Sequence, residues 1–269
     1  MQIFKAALVL VALTAGFAGS GRAQIPDEVA TLEIRPGWRQ SDGTHMAALD
    51  IGLAEGWKTY WRSPGDGGIP PRLMLEPNAN IRSVRIAWPV PQVFFQNGLR
   101  SVGYTGGVIL PLAVTTLDGS APVTLKGRIE IGVCEDICIP VTFPINIELG
   151  ATGQNDPAIR AALADRPMRA RDAGVGSARC TITPIADGLR VAAEVEMPRL
   201  AATEASVLEL TGQQVWISEA ETLRTGTRLV ATAEMVPPDG QPFALDRSAV
   251  RITVIGGGRA VDIRGCSPP

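Results

Sequence analysis

Short runs in which apolar and polar residues alternate dominate the chain. "ATLEIRPGWRQ", "THMAALDIGLA", "SVRIAWPV", "VILPLAVTT", "VTLKGRIEIGV" and "VTFPINIEL" each read as a half-buried or buried strand. Turn residues separate them: Asp42-Gly43, Asp66-Gly67-Gly68, Asn97-Gly98 and Asp118-Gly119. The pattern changes at "NDPAIRAALADRPMRARDAGVGSA", where Asp156 stands at an N-cap position and Pro157 at N1. A short alanine-rich helix follows and stops near Pro167. From Arg179 the strand pattern returns in "RCTITPIA", "LRVAAEVEM", "ASVLELT", "QQVWISEAE", "RLVATAEMV", "AVRITVIGG" and "RAVDIRGC". The expected fold is all-β, with two immunoglobulin-like β-sandwich domains (24–150 and 178–269) joined by a linker with a short helix (151–177).

The N-terminus changes the picture of where these domains work. "MQIFKAALVLVALTAGFAGSGRAQIP" has Lys5 in a positive n-region, an apolar stretch from Ala6 to Ala15, and Gly21-Arg22-Ala23 before a small-residue cleavage site. Residues 1–23 are read as a secretory signal peptide in preference to a retained anchor, since the apolar core is short for a membrane span. About 245 residues remain after cleavage. An exported protein keeps its cysteines where disulfides persist. The net charge of −2 offers no basic surface for nucleic acid, and a monomer is expected.

Four cysteines are the candidate chemistry. Cys134 and Cys138 stand in "GVCEDICIP" between two good strands. On one continuous strand they would be ~13 Å apart at ~3.3 Å per residue, too far for a disulfide. A hairpin with Glu135-Asp136-Ile137 as its loop instead sets the cysteines opposite each other. A bond closing so small a loop adds little chain-entropy stabilisation. At an exposed hairpin tip it is a candidate for exchange, with an inert staple as the bland alternative. A metal clip fits poorly: His45 is the sole histidine and reads as an ordinary strand residue, so no metal or other cofactor is expected. Glu135 and Asp136 disfavour a nearby thiolate, so the thiols are expected at ordinary or raised pKa. Cys180 and Cys266 sit near the first and last strands of the second domain. Their bond would be structural, closing a loop of about 87 residues and worth roughly 4–5 kcal/mol. Glycines 256–258 fit a hairpin turn, and "GDGGIPP" a rigid loop.

"GWKTYWRSPGDGGIPP", "IAWPVPQVFFQNGLRSVGYTGGVILPLAV" and "GVCEDICIPVTFPINIEL", in that order, resemble the N-terminal periplasmic domain of the DsbD thiol:disulfide interchange family, in particular its ScsB-like branch. The resemblance is strong over residues 30–150 and weaker beyond. It implies an immunoglobulin-like fold with a redox-active pair, matched by Cys134 and Cys138. It also implies electron transfer from a membrane-embedded thiol reductase to periplasmic thioredoxin-like proteins, as in cytochrome c biogenesis. Tyr60 falls where the family places an aromatic beside the pair. The family's shielding cap loop is expected within Phe94-Phe95-Gln96-Asn97-Gly98, with Phe95 as the cap residue. Tyr104 matches a position after the cap, where packing alone would also explain it. The sequence carries no transmembrane electron-transfer domain and no thioredoxin-like domain after "GCSPP". The electrons are therefore expected from a separate membrane protein. A non-catalytic β-sandwich binding or scaffold protein with structural disulfides, and possible affinity for a soft metal, is the alternative.

Overall fold

The computed structural model describes residues 29–96 and 98–269. The expected signal peptide, residues 1–23, lies outside the described residues. The chain folds as the all-β, immunoglobulin-like architecture expected from its pattern.

Ten strands build the first sandwich: β1 (Ala30–Arg39), β2 (His45–Leu53), β3 (Lys58–Tyr60), β4 (Arg72–Leu75), β5 (Ile81–Ile86), β6 (Gln92–Gln96), β7 (Leu99–Thr105), β8 (Gly107–Thr116), β9 (Val123–Cys134) and β10 (Cys138–Leu149). One sheet has the order β1-β2-β8-β5. The other runs β10-β9-β3-β7-β6, with β4 also paired to β9. Strand β9 shows why the layers form. Val123, Leu125, Ile129, Ile131 and Val133 are buried toward the other sheet, whereas Thr124, Lys126 and Arg128 point outward. The same parity puts Cys134 on the outer face. On β10, Val141, Ile145 and Leu149 are buried in the core, so Cys138 also has outward parity.

The helix α1 (Pro157–Ala164) begins as the sequence predicts. The Asp156 carboxylate accepts from the backbone N–H groups of Ala158 and Ile159, and Pro157 opens the first turn. This helix is packed onto β2 and β8 rather than suspended between domains. Ile159 is fully buried there, which explains why β2 is buried on both faces. Gly37 makes room for it: φ is +60°, and a Cβ would stand 1.8 Å from the Met46 carbonyl oxygen and 3.1 Å from Ile159 Cδ1. Arg35 binds both Asp50 and Asp156, tying the helix start to the sheet. His45 is buried at the start of β2, with Nε2 2.6 Å from the Pro36 carbonyl oxygen.

The second sandwich contains β11 (Met168–Arg169), β12 (Ser177–Ile185), β13 (Gly188–Glu196), β14 (Ala205–Leu210), β15 (Trp216–Ile217), β16 (Glu221–Thr225), β17 (Arg228–Val236), β18 (Val250–Gly256) and β19 (Arg259–Arg264). Its sheets are β11-β19-β18-β14 and β12-β13-β17-β15, with β16 also on β17. The last hairpin turns through Gly257 and Gly258, both at positive φ, between the paired residues Gly256 and Arg259. Cys180, fully buried on β12, is bonded to Cys266 with Cα atoms 5.6 Å apart. The bond joins the first long strand of this sandwich to the chain beyond β19, beside the Cys180 N–H to Ser267 carbonyl hydrogen bond.

Candidate functional site, a disulfide under an aromatic cover

The hairpin of β9 and β10 runs in register from Val123 opposite Leu149 to Cys134 opposite Cys138. At its tip Glu135 N–H donates to the Ile137 carbonyl, closing the three-residue loop. Cys134 and Cys138 are bonded, with Cα atoms 4.2 Å apart. The two cysteines differ in exposure: Cys134 is 1 % exposed, whereas Cys138 lies in an exposed stretch with Glu135, Asp136 and Ile137.

The cover over Cys134 comes from strands that the hydrophobic pattern did not reveal. Strand β3 pairs with β9 so that Lys58 lies opposite Cys134 and Thr59 opposite Val133. On its other side β3 pairs with β7, placing Thr59 opposite Tyr104 and Tyr60 opposite Gly103. Paired residues share a face, so Lys58, Tyr60 and Cys134 stand on the outer face while Thr59, Tyr104 and Val133 face inward. The Tyr60 hydroxyl donates to Cys134 Sγ at 2.9 Å and lies 3.4 Å from Cys138 Sγ. Burial raises the phenol pKa, so at neutral pH the group remains a proton donor. It can therefore stabilise a thiolate as one forms beside it.

Strand β6 completes the cover. Phe94 packs on Tyr60 with ring centroids 6.4 Å apart and planes inclined at 43°. The Lys58 ammonium sits 5.4 Å from the Phe94 centroid, within cation–π range. Phe95 points the other way and is 73 % exposed. The reason is parity at a hairpin end. Gln92 and Phe94 share the Tyr60 face, and Phe95, on the opposite face, projects past the edge of the sandwich core. Phe94, not Phe95, is thus the aromatic against the site.

Tyr104 is not brought to the sulfurs. It belongs to the inter-sheet core, 5 % exposed, and donates to the Pro89 carbonyl at 3.0 Å. The two acids of the loop also separate. Glu135 folds toward Gly56, where an added Cβ would stand 2.6 Å from Glu135 Oε1. Asp136 stays exposed at the tip. Lys58 was missed by the sequence reading. The available signal was its parity with Tyr60 in "GWKTYW", which puts both side chains on one face of any strand formed there.

The arrangement suits thiol–disulfide exchange chemically. An incoming thiolate can reach Cys138 Sγ, and Cys134 would leave as a thiolate beside the Tyr60 hydroxyl. Among the described residues no three His, Cys, Asp or Glu side chains gather to hold a metal ion. No described helix is long and apolar enough to cross a membrane.

Comparisons with known proteins agree with this geometry. The crystal structure of the N-terminal periplasmic domain of ScsB from Proteus mirabilis matches over 91 % of this chain and 97 % of its own, with a TM-score of 0.68 and 21 % identity. At that identity the likeness speaks to the fold, here across both sandwiches. A marsupial T cell receptor also aligns, at 12 % identity and a TM-score of 0.17, too low to bear on the argument. No curated protein matches. A family model described as thiol:disulfide interchange protein DsbD, N-terminal, matches residues 25–145, the span that contains the hairpin tip, Tyr60 and Phe94. With the sandwich, the bonded hairpin tip and its aromatic cover already in view, residues 25–145 belong to the DsbD N-terminal domain family.

Proposed function

We propose that the chain is a periplasmic thiol–disulfide exchange module that carries electron pairs through Cys134 and Cys138. A membrane-embedded thiol reductase reduces the pair, and the dithiol then reduces a thioredoxin-like or other disulfide protein. In the outgoing half-reaction the Cys138 thiolate attacks a partner sulfur, forming a mixed disulfide and releasing one partner thiolate. Cys134 next attacks Cys138 Sγ. This re-forms the internal disulfide and releases the second partner sulfur, so the partner gains two electrons and, after protonation, two protons. The observation that carries the reading is the unequal burial of the pair, with Cys138 open and Cys134 under the Tyr60 hydroxyl.

The experiment is trapping. A Cys134→Ser variant should accumulate a mixed disulfide with a reactive small disulfide, because the resolving thiol is missing. A Cys138→Ser variant should accumulate little, because its remaining thiol is buried. Equal trapping by both variants, or by neither, contradicts the assignment.

A further inference from the structure

The segment 62–71, which joins β3 to β4, lies over Tyr60. Gly68 rests on the ring: a Cβ there would stand 2.6 Å and 2.8 Å from Tyr60 Cδ1 and Cε1. Only glycine lets the backbone approach so closely. The Gly67 carbonyl oxygen, 3.3 Å away, is a second acceptor beside Cys134 Sγ for the one proton of the Tyr60 hydroxyl. The same segment is tied to β7 by a Val102 N–H to Pro64 carbonyl bond of 2.9 Å, and Gly65 is seated against the Arg100 carbonyl. The orientation of Tyr60 toward the sulfurs therefore depends on where this segment sits.

Two arginines at its attachments leave the first sandwich and bind the second. Arg62 sends Nε and Nη2 to the two carboxylate oxygens of Glu209 on β14, at 2.9 and 2.8 Å. Its Nη2 also donates to Thr253 Oγ1 at 3.3 Å, and its guanidinium stacks 3.5 Å from the Trp61 ring centroid. Arg100 pairs with Glu219 at 3.2 Å and donates to the Ser206 carbonyl at 3.3 Å. The two arginine side chains are only 12 % and 10 % exposed. Both line a cleft of about 500 Å³ between the sandwiches, shared by Gly65, Gly68, Glu209 and Glu219. A buried planar fork on a carboxylate fixes position as well as charge.

We propose that the second sandwich is a positioning element for the redox pair: through Arg62–Glu209 and Arg100–Glu219 it holds segment 62–71 on Tyr60 and so sets the approach of the Tyr60 hydroxyl to the sulfurs. Arg62, Arg100, Glu209 and Glu219 touch neither sulfur in this account and act through Tyr60. The proposal rests on the exchange reading above and assigns the second sandwich its role in it.

The test uses the full chain, reduced, with iodoacetamide alkylation of Cys138 followed by mass at pH 7. Tyr60→Phe removes the hydroxyl that stands 3.4 Å from Cys138 Sγ, a donor to the Cys138 thiolate as it forms, and should slow alkylation about fivefold. Glu209→Gln should slow it in the same direction by roughly two- to threefold, a usual size for coupling through a packed network. In the Tyr60→Phe background, Glu209→Gln should change nothing further, since the group it positions is gone. Arg62→Lys keeps the charge without the fork and should repeat the Glu209→Gln effect. It also serves if Glu209→Gln fails to fold. A lower melting temperature with an unchanged alkylation rate, or effects of Tyr60→Phe and Glu209→Gln that add in full, would overturn the proposal and leave the seam as simple adhesion. The exchange reading is checked separately, by wild-type equilibration with glutathione. A pair that never equilibrates defeats that reading, whereas the alkylation cycle still decides whether the seam positions Tyr60.

Discussion

The two disulfides are built from the same bond and serve opposite ends. Cys180–Cys266 spans 86 positions, is anchored by a fully buried Cys180, and ties the edge of a sheet to the end of the chain. Cys134–Cys138 spans 4 positions, closes a hairpin that its own strands already hold in register, and leaves one cysteine open to solvent. Chain entropy rewards the first bond about twice as much as the second. A hairpin that twelve paired positions already hold in register should keep its fold when the bond at its tip opens. In the exchange role proposed above, the small loop would supply that freedom, and Tyr60 and Phe94 would limit access to the sulfurs.

The largest expected effect separates the two on stability. Replacing Cys180 and Cys266 by serine should lower stability by about 4–5 kcal/mol, against about 2 kcal/mol for Cys134 and Cys138, from the loop lengths alone. Denaturant midpoints of the two double variants measure the difference. Equal losses would mean that the hairpin bond is a staple after all.

Next in size is the cover. Phe94→Ala should speed alkylation of the reduced pair several-fold, because the ring packed on Tyr60 is gone. Phe95→Ala should leave the rate unchanged, since that ring is already in solvent. The opposite ranking would mean that Phe95 swings over the sulfurs in solution, and that Phe94 is ordinary packing.

These predictions also mark what the sequence made legible. The hairpin could be read from residues alone, because Cys134 and Cys138 lie between two strand-like runs and could not bond on one extended strand. The helix start was legible from its capping pair, Asp156 and Pro157. The choice between Phe94 and Phe95 was not, because adjacent phenylalanines differ only in parity and β6 has only five residues to declare it. Strand β3 is shorter still, three residues, and its partners lie far off in the chain. Tyr60 meets Cys134 across 74 positions and Arg62 meets Glu209 across 147. Such pairings follow from tertiary register, which local periodicity does not carry.

Charge around the pair should give smaller effects. Lys58 stands opposite Cys134 on the same face, so Lys58→Gln should raise the thiol pKa by about half a unit through lost Coulomb attraction. Removing the acids should act in the opposite direction. Asp136→Asn should lower the thiol pKa by a few tenths of a unit at most, given its exposure at the tip. Glu135→Gln should do less, as its carboxylate is turned toward Gly56. The pH dependence of alkylation for the three variants ranks them, and a larger shift for Glu135 than for Lys58 would reverse the electrostatic picture.

The most direct test of the contrast between the bonds is a graded glutathione titration of the wild-type protein, with each disulfide followed by mass mapping. The account predicts that Cys134–Cys138 opens first, at a potential within the range of exchange proteins, roughly −120 to −270 mV, while Cys180–Cys266 stays closed until the potential falls below about −300 mV. Simultaneous opening, or loss of Cys180–Cys266 before Cys134–Cys138, would contradict it.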